Sequence, residues 1–94
     1  MDLIIVNEIW RSIDGYLNYQ VSNTGYVRNA NNGELVQQRK RSGYWIVHVR
    51  TDVKRTTCSV HRLVAKSFIA NPDNKSQVDH INNNKDNNCM NNLR

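Results

Sequence analysis

The last seventeen residues read Val78-Asp79-His80-Ile81-Asn82-Asn83-Asn84-Lys85-Asp86-Asn87-Asn88-Cys89-Met90-Asn91-Asn92-Leu93-Arg94. An acid and an imidazole stand side by side in Asp79-His80, a loop too polar to bury follows, and Asn92-Leu93 closes it at a fixed distance. Neighbouring residues on a β-strand point to opposite faces, so Asp79 and His80 can serve one pocket only where the strand ends or bulges. The strand that opens near Val78 is therefore read as ending at this pair. A carboxylate is a hard oxygen ligand suited to Mg²⁺ or Mn²⁺, and a neutral imidazole is the commonest general base near neutral pH. Together they describe metal-assisted hydrolysis. Taken alone, an Asp-His pair also occurs by chance and an Asn-rich run also makes a solvated turn; the joint pattern is more specific.

Immediately upstream, residues 61–69 carry Leu63, Val64, Phe68 and Ile69 on one helical face, with Arg62 and Lys66 four apart on another. A short helix packed on a sheet is predicted there, stopped by Asn71-Pro72 and followed by a polar connector over 73–76. Its apolar stripe is core, and His61 at its start is read as a capping or packing residue, with orientation of the nearby site as the alternative. Before it, Tyr44 to Arg50 alternates, with Trp45, Val47 and Val49 on one face and Tyr44, Ile46, His48 and Arg50 on the other. That is a half-buried strand; residues 51–54 turn it and 55–60 return antiparallel, rich in β-branched Thr and Val. Trp45 and Phe68 are predicted core residues, and His48 a surface or cross-strand residue.

The N-terminal half reads as small strands and turns. Residues 19–21 and 25–29 flank Ser22-Asn23-Thr24-Gly25, whose Asn and Gly suit a tight turn with positive φ, so a hairpin is expected. Asn31-Asn32-Gly33 is a second turn signal, 34–38 a weak strand, and Arg39-Lys40-Arg41-Ser42-Gly43 a basic turn. Three consecutive cations repel one another and need solvent or an anionic partner.

The pattern His61-Arg62-Leu63-Val64-Ala65, Asn71-Pro72, Asp79-His80-Ile81, the Asn82-to-Asn88 loop and Asn92-Leu93 resembles the first half of an HNH endonuclease motif, the ββα-metal nuclease site of phage and intron homing endonucleases. The resemblance implies that Asp79 binds the metal, His80 activates water and Asn92 pins the loop, with His80 and Asn92 as the catalytic set. In that family a second strand and a helix follow and supply another metal ligand, an asparagine or histidine. This sequence ends at Arg94, inside the motif, so the 94-residue chain is expected to be catalytically silent. The block Trp10, Gly15-Tyr16, Tyr19-Gln20-Val21-Ser22-Asn23 and Gly25-Tyr26-Val27-Arg28 resembles the nuclease-associated modules of the NUMOD group. Two parts are expected: 1–60 as a NUMOD-like antiparallel sheet that binds DNA, and 61–94 as helix plus the opening of the HNH motif.

Thirteen Lys plus Arg against eight Asp plus Glu give a formal charge of +5, with pI near 9.6 and mean hydropathy −0.72. Such a balance is the electrostatic footprint of a nucleic-acid binder, although a basic surface also serves solubility alone. Duplex DNA is the expected partner, through Arg39, Lys40, Arg41, Arg50, Lys54 and Arg55. Cys58 and Cys89 stand far apart without C-x-x-C spacing, which reads as reduced thiols rather than a structural zinc site. The apolar run at 3–6 is too short for a secretory or membrane-spanning segment, so a cytoplasmic setting in a bacterial or phage-infected cell is expected.

These readings give an α+β chain: a small antiparallel sheet module with a short helix, then the first strand and loop of a ββα-metal motif. The function implied is cleavage of duplex DNA by metal-assisted phosphodiester hydrolysis, with Mg²⁺ or Mn²⁺ as cofactor. The alternative is a non-catalytic DNA-binding module or nuclease remnant. A protein-interaction domain explains the Asp-His pattern less well.

Overall fold

In a computed structural model, which describes residues 7–70 and 77–94, six short strands form two antiparallel three-stranded sheets with one α-helix packed between them and the C-terminal loop. The expected helix stop at Asn71-Pro72, the connector at 73–76 and the apolar run at 3–6 lie outside the described residues. The first sheet holds β1 (Trp10–Ile13), β2 (Tyr16–Ser22) and β3 (Val27–Asn29) in that order. The β2–β3 hairpin follows the expected turn, with Gly25 at φ +98 and pairs Tyr19↔Asn29, Gln20↔Arg28 and Val21↔Val27. β2 begins three residues earlier than expected because it also pairs with β1, around a turn at Asp14-Gly15 and across an irregularity between Ser12 and Ile13.

The second sheet holds β4 (Arg39–Arg41), β5 (Tyr44–Arg50) and β6 (Arg55–Ser59). Here the expected basic turn is corrected. Ser42 and Gly43 both have positive φ, 53° and 84°, the signature of a two-residue hairpin turn, so the three cations lie on a strand and the turn comes after them. The weak strand expected at 34–38 is reduced to one isolated bridge, Arg28↔Leu35; its Leu35 is largely exposed and has no apolar face to bury.

The helix α1 (Val60–Phe68) starts one residue early and buries Val60, Leu63 and Val64 at i, i+3 and i+4 spacing, with His61 buried beside them. Its C-terminal turn is tied to the first sheet: Arg11 Nη1 donates to the Ser67 carbonyl at 2.6 Å, and the Arg11 guanidinium lies 4.6 Å over the Phe68 ring. Ile13, Val21, Val27, Val47, Val49, Val60, Leu63, Val64 and Leu93 form a single core, so both sheets, the helix and the C-terminal loop share one interior. Two packing expectations fail. Trp45 and Phe68 are half-buried and flank this core, because each ring is also an outer surface for a cation, Lys40 for Trp45 and Arg11 for Phe68. Ile46, placed outward by alternation, is 6% exposed.

Both cysteines are free thiols. No helix among the described residues is long and apolar enough to cross a membrane.

Candidate nuclease and nucleic-acid site

The C-terminal stretch folds back on itself without becoming a strand. His80 and Leu93 form an isolated bridge, flanked by Asp79 N–H to Arg94 O at 3.0 Å, Arg94 N–H to Asp79 O at 3.1 Å and Ile81 N–H to Asn92 O at 2.7 Å. Between these ends the asparagines replace a backbone ladder with side-chain turns. Asn82 Oδ1 accepts from Asn84 N–H at 2.8 Å, Asn84 Oδ1 from Asp86 N–H at 3.1 Å, and Asn83 takes a positive φ of 61°, which asparagine tolerates. Asn92 closes the loop. Its Nδ2 donates to Asn82 Oδ1 at 3.0 Å and to the Asn87 carbonyl at 2.9 Å, and its Oδ1 accepts from Asn82 N–H; at 7% exposure the side chain works inside the loop.

His80 is 7% exposed, and its Nε2 donates to Asn88 Oδ1 at 2.7 Å. The His61 ring lies 5.2 Å away and the Tyr44 ring 6.1 Å, with Tyr44 and His61 stacked at 5.0 Å. Burial first, then the neighbouring His80 and Arg62, push the His61 imidazole down to about 4. It is therefore neutral near pH 7, and its buried Nδ1 has no partner. Asp79, the next residue before His80, stands exposed, in keeping with the alternation of neighbours on extended chain. Its carboxylate is in no ion pair among the described residues. A hard oxygen donor left free in water fits a divalent cation, yet no group of three His, Cys, Asp or Glu among the described residues is placed to hold an ion.

The loop wraps the tip of the β4–β5 hairpin. Lys85 Nζ sits 4.5 Å over the Tyr44 ring on one face, while on the other Asp86 accepts from Trp45 Nε1 at 2.9 Å and pairs with Lys40 at 2.8 Å. Lys40 and then Trp45, by hydrogen bonding, hold the Asp86 carboxyl below its ordinary value.

Register decides which cations act together, because directly paired residues share a face. Arg39 pairs with Ile46 and Arg41 with Tyr44, while His48 pairs with Thr57 and Arg50 with Arg55. One face therefore carries Arg39, Arg41, His48, Arg50 and Arg55, and every arginine of it is exposed. Partial removal from water, then Arg55, Arg41 and Arg39, hold the His48 imidazole below its ordinary value; its Nδ1 meets Thr57 Oγ1 at 3.0 Å. Lys40 pairs with Trp45 on the opposite face and is committed to Asp86. Lys54 is exposed in the β5–β6 turn. Tyr44 belongs to the arginine face and also touches the His80 cluster, so the face runs into the site.

Sequence reasoning missed Asn88, Asp86 and Tyr44. Each looked like an ordinary loop or strand residue, and only the fold brings it to its partner.

Residues 8–50 match the NUMOD4 motif. An uncharacterised HNH endonuclease of Acanthamoeba polyphaga mimivirus is 40% identical over 84 residues, 89% of this chain and 26% of its own length. The DNA endonuclease I-HmuI of Bacillus phage SP01 is 42% identical over 87 residues, 90% of this chain and 50% of its own. A solved structure of DNA binding and cleavage by the HNH homing endonuclease I-HmuI matches at a TM-score of 0.84 and 39% identity, over 92% of this chain and 51% of that one. The chain spans about half or less of the length of these relatives.

Proposed function

We propose that this chain, a relative of the HNH homing endonucleases that carries a NUMOD4 motif, is the part of a DNA endonuclease that grips duplex DNA and presents Asp79 and His80 to a phosphodiester. The observation that carries this reading is the continuity at Tyr44, which shares a sheet face with Arg39 and Arg41 and touches His61 and His80. Phosphates held along the guanidinium face lead to the imidazole.

Each residue has a role in that reading. Arg39, Arg41, Arg50 and Arg55 neutralise phosphates. His80, its Nε2 proton committed to Asn88, has a lone pair on Nδ1 with which to take a proton from water. Asn92 keeps the loop closed around it. Asp79 is the residue that would hold a divalent cation, Mg²⁺ or Mn²⁺, and such an ion, when bound, stabilises charge on the phosphate and its leaving oxygen. Because Asp79 is a single protein ligand among the described residues and Mg²⁺ keeps its waters unless more oxygens help, we infer that the 94 residues bind DNA well and cleave it weakly.

The second reading, a DNA-binding module without catalysis, is favoured by the same ligand count. Plasmid nicking with Mg²⁺, compared between the wild-type chain and His80→Ala, separates the two. Metal-dependent nicking lost in the variant supports the nuclease, whereas binding with the same trace nicking in both supports the module.

A further inference from the structure

We propose that Asn88 is the positioning residue for His80, and that the turn at Ser22-Asn23-Thr24-Gly25 in the first sheet is the buttress that holds Asn88. This rests on the reading of His80 as the base, and it makes the first sheet and the hydrolytic residue one mechanical piece.

The chemistry begins with an amide oxygen, which can only accept. A ring nitrogen 2.7 Å from Asn88 Oδ1 must carry the proton, so the contact selects the tautomer with hydrogen on Nε2 and the lone pair on Nδ1. Without it, a neutral imidazole divides between two tautomers, of which one has no free pair on Nδ1. Asn88 is 6% exposed, so water competes poorly for this bond.

The packing explains why Asn88 stays there. A Cβ built on Gly25 would lie 2.9 Å from Asn88 Cβ and 3.2 Å from its carbonyl oxygen, so the two chains meet where glycine alone fits without a shift; the φ of +98° strains any other residue on its own account. On either side of this contact the chains are bonded: Cys89 Sγ to the Thr24 carbonyl at 3.7 Å and Met90 N–H to the Asn23 carbonyl at 2.8 Å. Asn23 is itself fixed, since its Oδ1 accepts from Ile9 N–H at 2.9 Å and its Nδ2 donates to the Asn7 carbonyl at 3.1 Å. None of these residues belongs to the arginine face.

The test is the tautomer of His80, read from long-range ¹H–¹⁵N correlations of the labelled 94-residue chain at a pH where its rings are neutral. The wild type should show a single Nε2–H form. Asn88→Ala should show a mixture, and Asn88→Asp, whose carboxylate also accepts from Nε2–H, should restore the single form. Gly25→Ala should behave like Asn88→Ala; if it fails to fold, the two Asn88 variants decide. In a form that nicks plasmid DNA, Asn88→Ala should lose roughly 10- to 100-fold in turnover, by analogy with the loss when the partner orienting a metal-bound histidine is removed, with unchanged DNA affinity and most of the loss recovered by Asn88→Asp. An Nδ1–H form in the wild type, or an unchanged tautomer in Asn88→Ala, overturns the proposal. If the tautomers behave as stated but His80→Ala nicks at the wild-type rate, the positioning of the ring stands and the reading of His80 as base falls.

Discussion

Replacing Arg39 and Arg41 by alanine removes two of the four guanidinium groups that register aligns on one face of the second sheet, Arg39, Arg41, Arg50 and Arg55. Each phosphate neutralised on duplex DNA contributes about −0.9 to the slope of log affinity against log salt. Four contacts therefore predict a slope of about −3.6 for the wild type, and two leave about −1.8 in the double variant. Lys40 supplies an internal control. It lies on the opposite face in an ion pair with Asp86, so adding Lys40→Ala to the double variant should leave the slope unchanged, and Lys40→Ala alone should retain the wild-type slope. Fluorescence anisotropy of a labelled duplex across a salt series reads all four proteins. A double variant with the wild-type slope, or a Lys40→Ala slope shifted as far as that of the double variant, would refute the assignment of the face.

Phe68 is half-buried beside the core, so Phe68→Ala should cost about 2 kcal/mol in a denaturant melt, roughly half of what full burial would give; a loss of 4 kcal/mol or more, on the order expected for full burial, would return it to the core. Val47→Ala, at a fully buried position, should cost about as much despite removing far fewer atoms, since a cavity is left behind. Asn92→Ala removes three loop hydrogen bonds and should destabilise by about 2 to 3 kcal/mol, with limited proteolysis cutting first between 82 and 88. His61 has a folded-state value near 4 against an ordinary 6.5, so the folded chain binds fewer protons between those values. Stability from the neutral ring is complete above about 6.5 and falls with acidification toward pH 4, by about 3 kcal/mol at most. His61→Phe, which keeps a ring against Tyr44, should flatten the melting temperature over that window; an unchanged slope would mean another group titrates there.

The helix and two of the hairpins, β2–β3 and β5–β6, were legible because each is written locally: the 3.6-residue stripe of Leu63, Val64 and Phe68, the Asn and Gly of the turn at 22–25, the alternation of β5. The polar loop was legible as well, since Asn92 and the asparagines from 82 to 87 make their bonds within ten residues of one another. What could not be read is set by distant pairing. Arg39, Lys40 and Arg41 form one basic run in sequence, but the turn falls after them at Ser42-Gly43 and strand periodicity sends the middle cation to the other face. Trp45 looked like core by alternation, yet its partner Asp86 is 41 residues away, and a half-buried indole whose N–H needs an acceptor settles where one exists. Gly25 read as a turn glycine, and its second task against Asn88 leaves no mark in the local sequence.

In the proposed function His80 is the base of a metal-assisted cleavage reached along the arginine face. Plasmid nicking by a form of the protein that cleaves DNA, measured with Mg²⁺ and with chelator for wild type and His80→Ala beside duplex affinity for both, tests it most directly. Cleavage should require the metal and fall by at least about 100-fold in the variant, on the scale expected for a lost general base, with affinity unchanged. Equal Mg²⁺-dependent nicking by the two proteins would contradict it.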